Sequence, residues 1–97
     1  MSEPDYIERL RDAIRHTHGC ASAYVETVSV KETFKGKTVW EGEVEVFDLT
    51  GHATARQCFA WGFQDDGGRW QYVAVLRVKG VDTPLKAVQA YIVSQSK

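Results

Sequence analysis

The sequence carries almost no excess charge of either sign. Its 12 basic and 13 acidic side chains give a formal net charge of −1, so the chain lacks the positive field that attracts nucleic acid or an anionic membrane surface. It also lacks long apolar runs, which extend over only a few residues, whereas a helix that spans a bilayer needs about 20. We therefore expect a protein that binds neither nucleic acid nor membranes.

Cysteine is equally scarce, with only Cys20 and Cys58 in the chain. The first residues are polar and do not form the basic and then apolar segment of a secretory signal. Small secreted domains usually contain several disulfides. We therefore expect a reducing, cytoplasmic location.

The sequence contains no motif that identifies an enzyme. Glycines occur singly or as Gly67-Gly68, without the spacing of a dinucleotide-binding or phosphate-binding loop. Asp65 and Asp66 precede these glycines, and Asp-Gly is a favoured hairpin turn, so we assign both to a turn and not to catalysis. Cys58 lies within a predicted strand among apolar neighbours, where structural cysteines are usual. We predict no catalytic residue and no cofactor.

Alternation of apolar and polar side chains predicts four strands. Residues 38–48 alternate most regularly, with apolar side chains at even positions and glutamates 41, 43 and 45 at odd positions, where we expect them to face water. Similar patterns place the other strands near residues 21–34, 55–63 and 69–79. Short turns between them predict an antiparallel sheet.

Helices are predicted at both ends of the chain. Ser2 precedes a first turn that contains proline, which favours a helix N-terminus and predicts a helix near residues 4–18. Thr83 and Pro84 repeat that arrangement ahead of a helix near residues 83–94. Both helices have an apolar stripe that needs a surface to cover.

These elements predict one α+β domain, 1–97, of order αββββα. We expect two layers, with the N- and C-terminal helices packed on one face of a four-stranded antiparallel sheet. The predicted core consists of Ile7, Leu10, Ile14, Trp40, Val44, Phe59, Trp61, Tyr72, Leu76, Leu85, Val88 and Ile92.

The turns set the register that we expect in each hairpin. A three-residue turn at 35–37 places Val28 opposite Val44, and Lys31 opposite Glu41, which joins apolar with apolar and basic with acidic side chains. A turn at 65–68 determines the register that we expect in the second hairpin. Its expected pairs are Phe63 with Trp70, Trp61 with Tyr72, Ala60 with Val73 and Cys58 with Val75.

The segment KTVWEGEVEVFDLTGHATARQCFAW, residues 37–61, and the helix that begins at Thr83-Pro84 resemble a family of small bacterial proteins with no assigned function. The resemblance covers most of the chain. It implies a bacterial cytoplasmic protein and brings no catalytic or binding residue with it.

The weak candidates for metal ligands are His16, His18 and Cys20, which follow one another at alternate positions. If the first two are helical, they point about 200 degrees apart, and a fourth ligand would have to come from His52 or Cys58. Structural roles at the end of the helix are therefore the stronger interpretation, and we predict no metal site.

Two classes of function remain open, and both depend on the aromatic side chains of the second hairpin. Aromatic residues on a sheet can stack bases, but here they are better explained as the core beneath the helices. The opposite, open face would then bind a protein partner, most simply a second copy, through Cys58, Ala60, Val73 and Val75. The alternative is a small-molecule-binding protein or enzyme whose pocket, between helices and sheet, is lined by Trp40, Trp61 and Tyr72.

Overall fold

Six regular elements follow one another in the computed structural model, which describes residues 4–95. They are α1 Pro4–His18, β1 Ala21–Phe34, β2 Lys37–Thr50, β3 Gln57–Gln64, β4 Trp70–Leu76 and α2 Pro84–Gln95. The strands form one antiparallel sheet in the order β1-β2-β3-β4. The predicted α+β class, element order and antiparallel sheet are confirmed, whereas Ser2, the predicted helix cap, lies outside the described residues.

The first hairpin has the predicted pairing but a different turn. Val28 lies opposite Val44 as expected. The turn contains only Lys35 and Gly36, with φ angles of 53° and 79°, as a type I′ turn requires. An unpaired residue in β2, Val39, forms a bulge that compensates for the shorter turn. The predicted three-residue turn is therefore wrong, although the register it was meant to explain is right.

The second hairpin differs from its prediction by one residue. Its pairs are Phe63 with Gln71, Trp61 with Val73, Ala60 with Ala74 and Cys58 with Leu76. The Asp65 N–H donates to the carbonyl of Arg69 at 2.8 Å, and the Asp65 carboxylate accepts from the Gly67 and Arg69 N–H groups. Gly68 has a φ of 80°, as expected after a type I turn in a three-residue loop. This one-residue difference moves every β4 side chain to the other face.

The two helices lie on opposite faces of the sheet, so the predicted placement of both on one face is wrong. The α1-side core consists of Leu10, Ile14, Cys20, Phe47, Cys58 and Ala60. The α2-side core consists of Val30, Val44, Val46, Phe59, Trp61, Ala87 and Val88. Alternate residues of β3 belong to different cores, so this central strand is apolar on both faces. A sheet of this kind needs a cover on each face.

The side chains of β3 that face α1 are small, which permits a close approach of this helix. The Gly62 N–H donates to the hydroxyl of Tyr6 at 2.6 Å. A Cβ atom at Gly62 would lie 3.0 Å from the ring of Tyr72 and 3.1 Å from that of Tyr6. The first turn of α1 can therefore settle on the sheet only because this position has no side chain.

Of the twelve residues predicted to form the core, six are buried, five are half-buried and one is exposed. Leu10, Ile14, Val44, Phe59, Trp61 and Val88 are buried. Ile7, Trp40, Tyr72, Leu76 and Ile92 are half-buried. Leu85 is 39% exposed, since it lies in the first turn of α2 beside the edge strand β1.

Gly62→Ala is expected to lower the free energy of unfolding by about 1–3 kcal/mol, because the added methyl group overpacks against two tyrosine rings. Gly67→Ala is the matched control, since a Cβ there meets only the Asp65 carboxylate at 3.4 Å. Urea denaturation of both variants measures the difference. A Gly62→Ala variant as stable as the control would contradict the described packing of α1.

Candidate functional site

The four residues predicted to form one interaction surface are divided between the two faces of the sheet. Cys58 and Ala60 are 0% and 1% exposed beneath α1. Val73 and Val75 are half-buried and pack against the α2-side core. The face that we predicted to be open is therefore covered. Its small side chains pack against α1 of the same chain, where we had predicted that a partner protein binds.

Of the three residues predicted to line an aromatic pocket, Trp40 and Trp61 meet, whereas Tyr72 lies apart from them. Trp40 and Tyr91 pack against Trp61 on the α2 side, with ring centroids 5.6 and 5.5 Å from that of Trp61. Trp61 is 1% exposed, so these rings fill the space between α2 and the sheet. Tyr72 lies on the other face, stacked on Trp70 with ring centroids 6.3 Å apart.

The weak metal candidates do not converge either. His16 is exposed, whereas Cys20 is buried in the α1-side core. His18 donates through Nε2 to the carbonyl of Ala74 at 3.0 Å, and His52 Nδ1 accepts from two backbone N–H groups of the following loop. Within residues 4–95, no group of three or more His, Cys, Asp or Glu side chains is placed to hold a metal ion.

One carboxylate that the alternation assigned to water, Glu45, is buried beneath α1. It is 1% exposed, and the Thr27 hydroxyl donates to its Oε1 at 2.5 Å. The Tyr24 hydroxyl lies 2.5 Å from the same Thr27 oxygen. Burial raises the pKa of the neighbouring Tyr6 hydroxyl, and the Glu45 charge adds to that rise. Only knowledge of where α1 lies could have shown that this glutamate is buried.

The edge of β1 offers a long segment of unpaired backbone. Within residues 4–95, β1 is the first strand in the sheet order and pairs only with β2. Arg11 Nε donates to the carbonyl of Ser22 near the start of β1 at 2.8 Å, and a bulge follows at Val25. The register is regular from Glu26 to Glu32, and among residues 4–95 no side chain bonds to the backbone of this segment.

A groove of about 390 Å³ runs beside this segment, between β1 and the start of α2. Its apolar lining comes from Val28, Val30, Pro84 and Leu85. Backbone and groove together form a surface that we name the β1 edge surface, made of residues 26–32 with Pro84 and Leu85. Side-chain alternation does not reveal strand order, so the sequence analysis could not identify this edge.

Comparison of the chain with protein-family models, with curated proteins and with solved structures gives no match. The resemblance to small bacterial proteins therefore stays a prediction. Neither α1 nor α2 combines the length and the apolar character that a helix needs to cross a lipid bilayer.

Both cysteines lie in the α1-side core as free thiols, and burial raises the pKa of Cys58 to about 12. The thiolate is the reactive form, so we expect Cys58 of the folded protein to resist iodoacetamide at mildly alkaline pH. Mass spectrometry of the Cys20→Ser variant with and without denaturant measures this. Rapid labelling without denaturant would contradict the burial of Cys58.

Proposed function

We propose that this protein is a self-association module in which two copies pair through the β1 edge surface. The proposal keeps the interaction function expected from the sequence and moves it from the sheet face, which α1 covers, to the sheet edge. The observation that carries it is the regular, unpaired edge from Glu26 to Glu32. The free thiols of Cys20 and Cys58 support a cytoplasmic setting for the assembly.

The β1 edge has little of the protection that monomeric proteins place on such strands. Proteins usually block pairing with prolines, lysines, bulges or short strands. Residues 26–32 contain no proline, and their charged side chains, Glu26, Lys31 and Glu32, leave residues 27–30 uncharged. The bulge at Val25 lies before the segment and leaves it intact. Unpaired N–H and C=O groups on a long regular edge act as a template for another strand.

A second copy fits this edge in an antiparallel register centred on Ser29. Val28 then lies opposite Val30 of the second copy, and Thr27 lies opposite Lys31. Val28, Val30 and the residues between them meet without like charges in this register, whereas Glu26 at the end of the segment lies opposite Glu32 of the second copy, which weakens the pairing there. Such pairing is isologous, because each copy contributes the same surface. Leu85 lies beside both valines in the groove and adds apolar contact area.

The other edge of the sheet is less suited to pairing. β4 spans only Trp70–Leu76, half the length of β1, which spans Ala21–Phe34. The carbonyl of Ala74 in β4 already accepts a hydrogen bond from His18. We therefore place the self-association surface at β1.

Leu85→Glu is expected to raise the dimer dissociation constant about tenfold or more, because it puts a charge into an apolar contact. A glutamate in the first turn of a helix is favourable, so the fold should be retained. Val93→Glu likewise replaces an aliphatic side chain with a carboxylate, at the other end of α2, where the side chain is 66% exposed. Sedimentation over a wide concentration range compares parent, variant and control.

Hydrogen exchange gives a second measurement that locates the surface. Amides between Glu26 and Glu32 should become more protected as the protein concentration rises, because edge N–H groups gain acceptors in the dimer. A parent protein that stays monomeric at high concentration, or a dimer equally weakened by Val93→Glu, would overturn the proposal.

A further inference from the structure

A cleft of about 670 Å³ lies at the end of the sheet away from the β3–β4 turn. It forms where β2 ends, β3 begins and the chain leaves β4 towards α2. Arg56 enters it from the loop before β3, and Arg77 and Lys79 enter from the segment after β4. Three of the chain's 12 basic residues thus line one cleft of a protein whose net charge is slightly negative.

The backbone around these cations is held by hydrogen bonds. The Leu49 N–H donates to the carbonyl of Arg56 at 2.8 Å, and the Arg77 N–H donates to that of Gln57 at 2.9 Å. Val78 and Val81 form an isolated β-bridge, which encloses Lys79 in a tight turn. The three cations therefore come from fixed backbone positions and not from free loops.

Gln57 orients the guanidinium of Arg77. Its side-chain nitrogen donates to Asp48 Oδ1 at 2.9 Å, while its Oε1 accepts from Arg77 Nη1 at 2.6 Å. Asp48 therefore positions Arg77 through a neutral amide and does not pair with it directly. The guanidinium has five N–H donors in a planar fork, so most of them remain available to a ligand.

Three cations and two carboxylates, Asp48 and Asp82, line the cleft, so its cations exceed its anions by one. Neither Arg56 nor Lys79 makes a side-chain hydrogen bond or ion pair within residues 4–95. Asp82, which also lines the cleft, lies 3.1 Å from the ammonium of Lys86. That contact, with a smaller contribution from Arg77, lowers the pKa of Asp82. Asp82 therefore has a cation partner outside the three, whereas Asp48 accepts a hydrogen bond from the neutral amide of Gln57 and forms no ion pair among residues 4–95.

We propose that this cleft binds a small phosphate-bearing molecule, with Arg77 as the oriented contact and Arg56 and Lys79 at its sides. Phosphate matches this arrangement because it carries two charges and several oxygens, which a guanidinium fork and two further cations can share. Thr54 supplies a hydroxyl donor, and Val78 supplies an apolar wall for the rest of the ligand. This site lies outside the β1 edge surface, so the proposal of phosphate binding does not depend on the proposed self-association.

Titration with inorganic phosphate and pyrophosphate, followed by NMR at constant pH and ionic strength, tests the proposal. We expect saturable shifts at the amides of Arg56, Arg77 and Lys79. Arg77→Gln should raise the dissociation constant about tenfold, because it removes a charge-assisted hydrogen bond. Lys79→Gln should weaken binding as well, and it alters an exposed side chain that forms no ion pair within residues 4–95.

Arg69→Gln is the matched control, because Arg69 lies in the turn at the other end of the sheet and the change in net charge is the same. We expect it to leave the dissociation constant unchanged. If Arg69→Gln lost as much affinity for phosphate as Arg77→Gln, the loss would reflect net charge alone, and the proposed site would be wrong. An absence of saturable shifts in the cleft, or an equal response to acetate, would overturn it too.

Discussion

The contact between α1 and the small face of β3 is the constraint on which the rest of the structure depends. Gly62 lets the ring of Tyr6 reach the strand, and the hydrogen bond between the two holds the first turn of α1 on the sheet. Cys58 and Ala60 extend the same close contact along the strand. Because α1 covers this face, the bulky side chains on the other face of β3 need a separate cover, which α2 provides.

A sheet covered on both faces leaves its edges and its ends for contact with other molecules. The β1 edge surface and the cleft lined by Arg56, Arg77 and Lys79 are regions of these two kinds, and Val30 connects the first of them to the α2-side core. Neither depends on a residue of the α1-side core. Association and ligand binding can therefore vary without disturbing the packing of α1 on β3, which the stability of a domain of this size requires.

The elements and the register of the first hairpin were predictable from sequence, whereas the turn of that hairpin and the faces of the second hairpin were not. Val28 and Lys31 each have one partner that suits their character, so burial and charge fix that register. In the second hairpin both faces are apolar, so the side-chain pattern fits the observed register and a register shifted by one residue equally well. The Asp65 carboxylate and the left-handed Gly68 decide the register. The cations of the cleft come from two segments, which no local motif connects.

Nuclear Overhauser contacts between methyl groups and aromatic rings test the central claim, which is that the two helices cover opposite faces. The account predicts contacts from Leu10 to Ala60, and contacts from Val88 to the rings of Phe59 or Trp61. Contacts from Leu10 to the Trp61 ring, without any to Ala60, would place both helices on one face and contradict it.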